Sequence, residues 1–173
     1  MKIPTMLNNY SVWYEGYRFI GMANTTLPNL ANMTDELKSA GYAGTTTYPV
    51  QSHYNDWAVI FNFHAPSRES MNLMRQDGLV VQCMSGTQEH DTGEHKVLIG
   101  AWTYTLGIIP RGFDLGALEV GVKQACVIEA ACTYIKAVYN GETMFEKDKP
   151  NMKDIVLGTD YARNIRRAIG MAG

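Results

Sequence analysis

The sequence has few cysteines, little net charge and no long apolar run, and each shortage argues against a class of protein. Its three cysteines, Cys83, Cys126 and Cys132, form no CxxC pair and leave an odd count. If Cys126 and Cys132 share a strand, they lie roughly 20 Å apart, too far for a disulfide. We therefore interpret all three as small buried apolar residues.

The charge and the apolar pattern disfavour nucleic acid and membrane partners. A formal charge of −2 over 173 residues gives no general attraction for phosphates or anionic lipids, which favour an excess of Lys and Arg. No window approaches the roughly 18 apolar residues of a membrane span. The first 16 residues have Asn and Tyr where a signal peptide has an unbroken apolar segment. We expect no membrane anchor and synthesis in a reducing cytoplasm.

The remaining composition predicts one mainly β domain over residues 1–173. With 46% apolar residues the chain can bury a core without covalent links. Turn signals separate runs rich in Val, Ile, Thr and aromatic residues, which is typical of antiparallel strands. We predict a β-barrel or sandwich with one packed α-helix, from Ser67 as N-cap to Gly78, and a short C-terminal helix after Thr159-Asp160.

Two dipeptides predict tight hairpins. Glu15-Gly16 joins two aromatic-rich runs, and Asn140-Gly141 supplies the two positive φ angles that a type I′ turn requires. The segment from Leu30 to Tyr48 stays open, because Thr34-Asp35-Glu36 could cap a short helix whereas the part after Gly41 resembles a loop. A connection this long is uncommon in a small domain and usually functional.

The second half holds two unusually long alternating runs, at residues 97–109 and 117–139. In the second, the even positions from Leu118 to Tyr134 are mostly apolar and the odd positions are small or charged. Strands of this length project beyond a small core, and an apolar ribbon with open edges favours pairing with another copy. A bulge near Gly121 or Ala130 that splits the run into two ordinary strands is the alternative.

No motif predicts catalysis. His90 and His95 are five apart in a polar stretch, which matches neither the helical nor the strand spacing of a metal pair. There is no GxSxG, no phosphate-binding loop and no cysteine with a nearby His. We expect neither an enzyme nor a cofactor. The C-terminal Arg163, Arg166 and Arg167 could bind phosphate, but carboxylates across a subunit or sheath contact, or a solvated face, explain them more simply.

The last fifty residues carry a resemblance. The run Ala131-Cys132-Thr133-Tyr134-Ile135-Lys136, the hairpin at Asn140-Gly141, the pair Asn151-Met152, and Gly158-Thr159-Asp160 followed by Arg166-Arg167-Ala168-Ile169-Gly170 are similar to the major tail tube proteins of contractile-tailed bacteriophages and of phage-tail-like bacteriocins. The upstream order of elements agrees.

The resemblance implies six subunits per ring, a joint inner β-barrel, and rings stacked inside a contractile sheath. The lumen then carries DNA, without sequence-specific binding, or ions in a bacteriocin. Implied partners are the same protein, the sheath protein, a tape-measure protein, baseplate tube initiators and a tail terminator. Implied localisation is the host bacterium's cytoplasm and then the virion tail. If the odd face lines the channel, the lumen candidates are Glu119, Lys123 and Glu129.

The long connection is our candidate for contact with neighbouring subunits, because a partner would stabilise an otherwise costly loop. Its candidate residues are Asn32, Thr34, Asp35, Glu36, Lys38, Tyr42, Thr46 and Tyr48. Two alternatives stay open. One is the tube of a secretion or contractile injection apparatus. The other is a monomeric small-ligand-binding β-barrel with Trp102 and Tyr104 in its pocket.

Overall fold

The computed structural model describes residues 1–16, 18–21, 24–38, 40–41 and 43–171. Within these ranges the chain consists mainly of antiparallel strands, which confirms the predicted mainly β fold. In chain order the elements are β1 (Lys2–Tyr14), β2 (Arg18–Gly21), β3 (Asn24–Thr26), β4 (Asn32–Leu37), β5 (Thr46–Tyr54), β6 (Ala58–Phe63), α1 (Arg68–Met71), a 3-10 turn (Asn72–Met74), β7 (Leu79–Asp91), β8 (Lys96–Asp114), β9 (Cys126–Tyr139), β10 (Glu142–Asp148), β11 (Lys153–Val156), β12 (Thr159–Asp160) and α2 (Arg163–Ala168).

Ten of the described strands form one sheet that branches at β9. The main path runs β12-β11-β10-β9-β8-β7-β1-β2. One edge of β9 pairs with β8 along most of its length. Its other edge pairs with β6 over residues 126–131 and with β10 over residues 134–139, and β3 then pairs with β6. The sheet therefore splits into two branches, one through β10 and one through β6, whose inner faces enclose the core.

Both predicted hairpins are present. Asn140-Gly141 is a two-residue turn between the paired Tyr139 and Glu142, whereas the first hairpin is one residue longer than predicted, since Tyr14 pairs with Arg18. Glu15 and Gly16 have φ of 52° and 75°, and Asn140 and Gly141 have 46° and 88°. Two successive positive φ angles match the right-handed twist of the flanking strands, which is why such turns join hairpins. The first hairpin starts from a much longer strand than the aromatic run alone indicated, since β1 reaches back to Lys2.

A bulge in β9 reverses which side chains face the core. Tyr134 pairs with Gly107 and Cys132 pairs with Ile108, so Thr133 is an extra residue with no partner of its own. Before the bulge the even positions are buried, as with Cys132. After it the odd positions are buried, as with Ile135 and Ala137. The single even-face assignment is therefore wrong beyond this point, because one inserted residue shifts a period of two by one step.

The core lies between the two branches of the sheet and under the short helix α1. Ser67 caps α1 as predicted: its hydroxyl accepts a hydrogen bond from the Ser70 backbone N–H at 3.0 Å. The helix is shorter than predicted, because α1 ends at Met71 and a 3-10 turn that buries Leu73 ends at Met74, so Gly78 with its φ of 82° does not terminate it. All three cysteines are free and buried, as predicted, and burial raises the pKa of the Cys83 thiol to about 12. The large side chains that are fully buried include Val12, Tyr14, Trp57, Val59, Phe61, Val81, Leu106, Ile108 and Ile128.

The segment from Leu30 to Tyr48 is neither the helix nor the open loop considered from the sequence. Its described residues form a β-hairpin in which β4 pairs antiparallel with β5, from Asn32 opposite Tyr54 to Leu37 opposite Thr46. These two strands form a sheet separate from the ten-stranded one. We call residues 32–54 the arm. Tyr42, one of the predicted contact residues, lies outside the described residues.

Candidate assembly surfaces

The ten-stranded sheet has an open edge along β1. β2 pairs only with Val12–Tyr14 at the end of β1, and no described strand pairs with that edge between Lys2 and Asn9. β7 covers the opposite edge over the whole length of β1. Unpaired backbone N–H and C=O groups in an extended strand can form hydrogen bonds with another chain. This edge is a ready surface for a neighbouring subunit.

The ends of β1, β7 and β8 extend beyond the core as a three-stranded ribbon. It carries apolar side chains that no described residue covers: Ile3, Met6, Leu7, Val97 and Ile99 are all exposed. Exposed apolar side chains that cluster on one element of a soluble protein mark interaction surfaces. The predicted projecting ribbon is thus present, but its strands are β1, β7 and β8 rather than β8 and β9.

One row of the sheet face opposite the core is polar and carries charges of both signs, although Val80 and Met84 on the same face are exposed apolar residues. Gln82, Thr105, Lys136 and Glu146 are partners in register across β7, β8, β9 and β10. Glu146 also accepts a salt bridge from Lys153 at 3.0 Å. Along this row the positive charge of Lys136 lies beside the negative charge of Glu146, so the two charges largely offset each other.

Glu129 is the one predicted lumen residue that lies on this face. It is paired with Arg111, the extra residue of a second bulge, between Pro110 and Gly112 in β8. The Arg111 guanidinium donates to a Glu129 oxygen at 2.5 Å and to Asp56 at 2.5 Å. The same guanidinium lowers the pKa of Asp56. The positive charge of Arg111 is shared between Glu129 and Asp56, so it only partly neutralises the Glu129 carboxylate.

Glu119 and Lys123 do not lie on a strand with Glu129, and that prediction is wrong. β9 begins only at Cys126, and residues 115–125 form a loop after β8. Two contacts hold the loop's ends together: the Gln124 side chain donates to the Leu115 carbonyl at 3.0 Å, and Gly116 lies directly against the Ala125 carbonyl. Alternation continued through this loop in the sequence without any strand to carry it.

The apolar side chains of this loop are exposed. Leu118 retains 88% of its surface and Val120 is fully exposed, while Leu115 and Val122 are more than half exposed. The sequence pattern predicted Leu118, Val120 and Val122 on the apolar face of a strand. The glycines at 116 and 121, which adopt φ of 73° and 83°, were the available signal of a loop. We call residues 115–125 the apolar loop.

A buried ionic cluster anchors the arm to the C-terminal strands. The Lys147 ammonium lies 2.5 Å from an Asp154 oxygen and 2.7 Å from the Tyr54 hydroxyl, and the Ser52 hydroxyl donates to Asp154 at 2.9 Å. The side chains of Asp154 and Lys147 are only 9% and 14% exposed. Ser52 and Tyr54 belong to the arm, so this cluster fixes the arm's position on the sheet.

Hydrogen bonds from its neighbours keep the Asp154 carboxyl ionised. Burial acts to raise the pKa of Asp154, but hydrogen bonds from Lys147, Tyr54 and Ser52 together outweigh it and the pKa lies below its usual value. Burial, together with the Asp154 carboxylate, raises the pKa of Tyr54. No sequence pattern pointed to this cluster, because Ser52 and Asp154 are 102 residues apart.

The three C-terminal arginines do not act alike. Arg163 and Arg167 are exposed, as a contact residue should be. Arg166 is not available: its side chain is 12% exposed, bonds Asp160 at 2.6 Å, and donates to the Met152 carbonyl at 2.8 Å. Asp160 also accepts from the Ala162 backbone N–H just before α2. The prediction of an outward contact is therefore wrong for Arg166, whose role is to hold α2 to its own chain.

The described residues bear on two questions, a metal site and a membrane-spanning helix. They contain no group of three or more His, Cys, Asp or Glu placed to hold a metal. His90 and His95 flank the β7–β8 turn with their rings 6.4 Å apart. None of the helices that the structure describes is long and apolar enough to span a bilayer.

Comparison with known proteins explains an open sheet with so much exposed apolar surface. The family described as phage tail tube protein FII matches the chain over residues 4–170. The chain belongs to this family. The tail tube protein of Escherichia phage P2 is 27% identical over 182 residues, which cover 99% of the chain and 100% of the relative.

Membership of the tail tube family establishes the class of function. The chain is a structural protein of the virion tail and not an enzyme. A tail tube protein assembles with copies of itself into a tube and associates with other tail components. The exposed edge, ribbon, arm and apolar loop are therefore candidate contacts between subunits rather than parts of a ligand site.

Proposed function

We propose that six copies close into a ring by joining their sheets edge to edge, and that the rings stack into the hollow inner tube of a contractile tail. The observation that supports this is the open edge of β1 between Lys2 and Asn9. Closing a sheet around a ring pairs every such edge and removes the tendency to aggregate. A head-to-tail arrangement also buries the apolar ribbon beside that edge.

The lumen, in this proposal, is lined by the sheet face opposite the core. That face carries Gln82, Thr105, Lys136, Glu146 and the paired Glu129. DNA phosphates are held by an excess of Lys and Arg and repelled by an excess of carboxylates. A lining with matched charges does neither strongly, which suits a conduit. It replaces the carboxylate-rich lining expected from Glu119 and Glu129.

The arm is proposed to contact neighbouring subunits. It lies outside the ten-stranded sheet, and its apolar residues Met33, Leu37 and Val50 are exposed. Its buried anchor holds it in a fixed direction, so less entropy is lost on contact. The predicted contact residues that lie on it are Asn32, Thr34, Asp35, Glu36, Thr46 and Tyr48, with Lys38 directly after β4.

The remaining partners follow from the same proposal. Arg163 and Arg167 lie exposed on α2 and are suited to pair with carboxylates of the sheath protein or of a neighbouring subunit. A tape-measure protein would occupy the lumen during assembly, with baseplate initiators and a tail terminator at its ends. DNA would pass through at ejection, or ions in a bacteriocin. Synthesis would take place in the cytoplasm of the bacterial host.

The test is negative-stain electron microscopy of the purified protein over a concentration series, with light scattering to measure mass. We expect rings of six and hollow tubes of uniform width. Some tube subunits wait for an initiator, so the protein is also mixed with a matching baseplate. A protein that stays monomeric under both conditions would overturn the proposal.

A further inference from the structure

An apolar cavity lies where the ribbon leaves the core. It has a volume of about 300 Å³, and its lining includes Leu7 and Tyr10 of β1, Cys83 of β7, Tyr104 of β8, and Leu27. This volume is at the small end of binding sites, where it suits one or two side chains better than a cofactor. The cavity opens to solvent on the core side of the sheet, so it is accessible to a neighbouring copy.

The apolar loop presents side chains that match such a cavity. Leu118 and Val120 stand 88% and fully exposed at its tip. Backbone hydrogen bonds from Val122 to Glu119 and from Ala125 to Lys123 give the loop a defined shape. A preformed loop loses little entropy on binding, which favours it as an insertion.

The loop and the cavity cannot meet within one chain. Tyr104 in the cavity and Asp114 before the loop are ten residues apart on β8, which is about 33 Å along an extended strand. A contact between the loop of one copy and the cavity of another joins two different surfaces. Such a heterologous contact repeats head to tail and generates rings or open filaments.

We propose that Leu118 and Val120 of one subunit insert into the cavity beside Cys83 and Tyr104 of the next subunit along the tube. We call Leu118 and Val120 the knob. The occupant of the cavity is a second copy because proteins of this family assemble with themselves and because the knob and the cavity lining are both apolar. This inference rests on the proposed tube and specifies one of its contacts. Burial of one Leu or Val strengthens an association about 10- to 100-fold, and several such contacts per ring would multiply this effect.

Two variants separate the two halves of the contact. Val120→Asp destroys the knob and leaves the cavity intact. Ser85→Phe fills the cavity, which Ser85 also lines, and leaves the knob intact. Each is expected to raise the protein concentration needed for tube growth at least 10-fold while far-UV circular dichroism of the monomer stays unchanged. Leu157→Asp, at an exposed turn away from both surfaces, is the control and should assemble like the wild type. Thr87→Phe, also in the cavity lining, replaces Ser85→Phe if that variant fails to fold.

Mixing the two variants is the decisive experiment. The knob of the cavity-filled variant can still enter the cavity of the knobless variant, but the chain of contacts then stops. We expect a complex that contains equal amounts of each variant and does not grow further into tubes. Light scattering and native mass spectrometry measure its size and composition. Wild-type growth in both single variants, or a mixture that behaves as the sum of its parts, would overturn the contact and leave the tube proposal standing. A wild type that never assembles, even on a baseplate, would overturn the tube proposal itself.

Discussion

Removing the Asp154 carboxylate should loosen the arm and destabilise the whole chain. Asp154→Ala leaves the Lys147 ammonium, 14% exposed, with only the Tyr54 hydroxyl as a close partner. Breaking a buried ion pair from one side costs about 3–5 kcal/mol, and partial access to solvent places this case near 3. The Ser52 hydroxyl loses its acceptor as well, which adds about 1 kcal/mol.

The expected fall in unfolding free energy is therefore about 3–4 kcal/mol. For a chain of this size the melting temperature should drop by roughly 6–15 °C. Urea unfolding of the monomer, followed by circular dichroism, measures the first quantity. Limited proteolysis measures the local effect, and cleavage within the arm should become faster because Ser52 and Tyr54 lose part of their attachment.

Two controls test the physical reason. Lys153→Ala breaks a more exposed pair, in which the Lys153 and Glu146 side chains are 42% and 19% exposed, and should cost about 0.2–1 kcal/mol. The double variant Lys147→Met/Asp154→Leu removes both charges and should come within about 1 kcal/mol of the wild type. If Asp154→Ala costs no more than Lys153→Ala, the buried pair does not anchor the arm and the reasoning fails.

Three further outcomes follow from the same contacts. The pKa of Asp154 and, through Arg166, of Asp160 lies below the unfolded value of about 3.9. Their stabilisation should be complete above about pH 4 and lost as the pH falls through the folded-state pKa values, so the urea midpoint should decline there, and less so in Asp160→Asn. Gly100→Ala would place a methyl group 2.5 Å from the Glu89 carboxylate and should lower the melting temperature by several degrees. The control Gly112→Ala meets only ordinary van der Waals contacts and should change the melting temperature little. Ser67→Ala removes the α1 cap and should cost about 0.5–2 kcal/mol in urea unfolding; a loss near zero would mean that solvent replaces the cap.

The features predicted correctly are those in which neighbouring residues contain the whole cause. Asn140-Gly141 forms its turn because both residues favour positive φ, and at Glu15-Gly16 the glycine supplies the same preference. Ser67 caps α1 through a hydroxyl only three residues from its partner. The alternating run in β8 is a strand over its full predicted length and beyond. In each case the energy that decides the structure is local, so the sequence pattern is sufficient.

The misassigned features depend on residues distant in the sequence. The arm forms strands where Thr34-Asp35-Glu36 indicated a helix cap, because cross-strand pairing and the anchor at Asp154 outweigh a local preference. The bulge at Thr133 has no special residue to mark it, since it depends on how β9 matches the register of β8. Arg166 appeared free on a polar helix face until folding brought Asp160 beneath it.

The sequence by itself therefore determined the class of this protein: a mainly β chain of the tail tube family, with no motif that predicts catalysis. Alternation, turn chemistry and the C-terminal resemblance are local or linear signals, and they carried that conclusion. Only the tertiary structure decided which surfaces are available for assembly. The open edge of β1, the exposed apolar loop and the buried anchor of the arm arise from pairing between distant strands. Exposure depends on which residues the rest of the chain covers, and no local pattern records that.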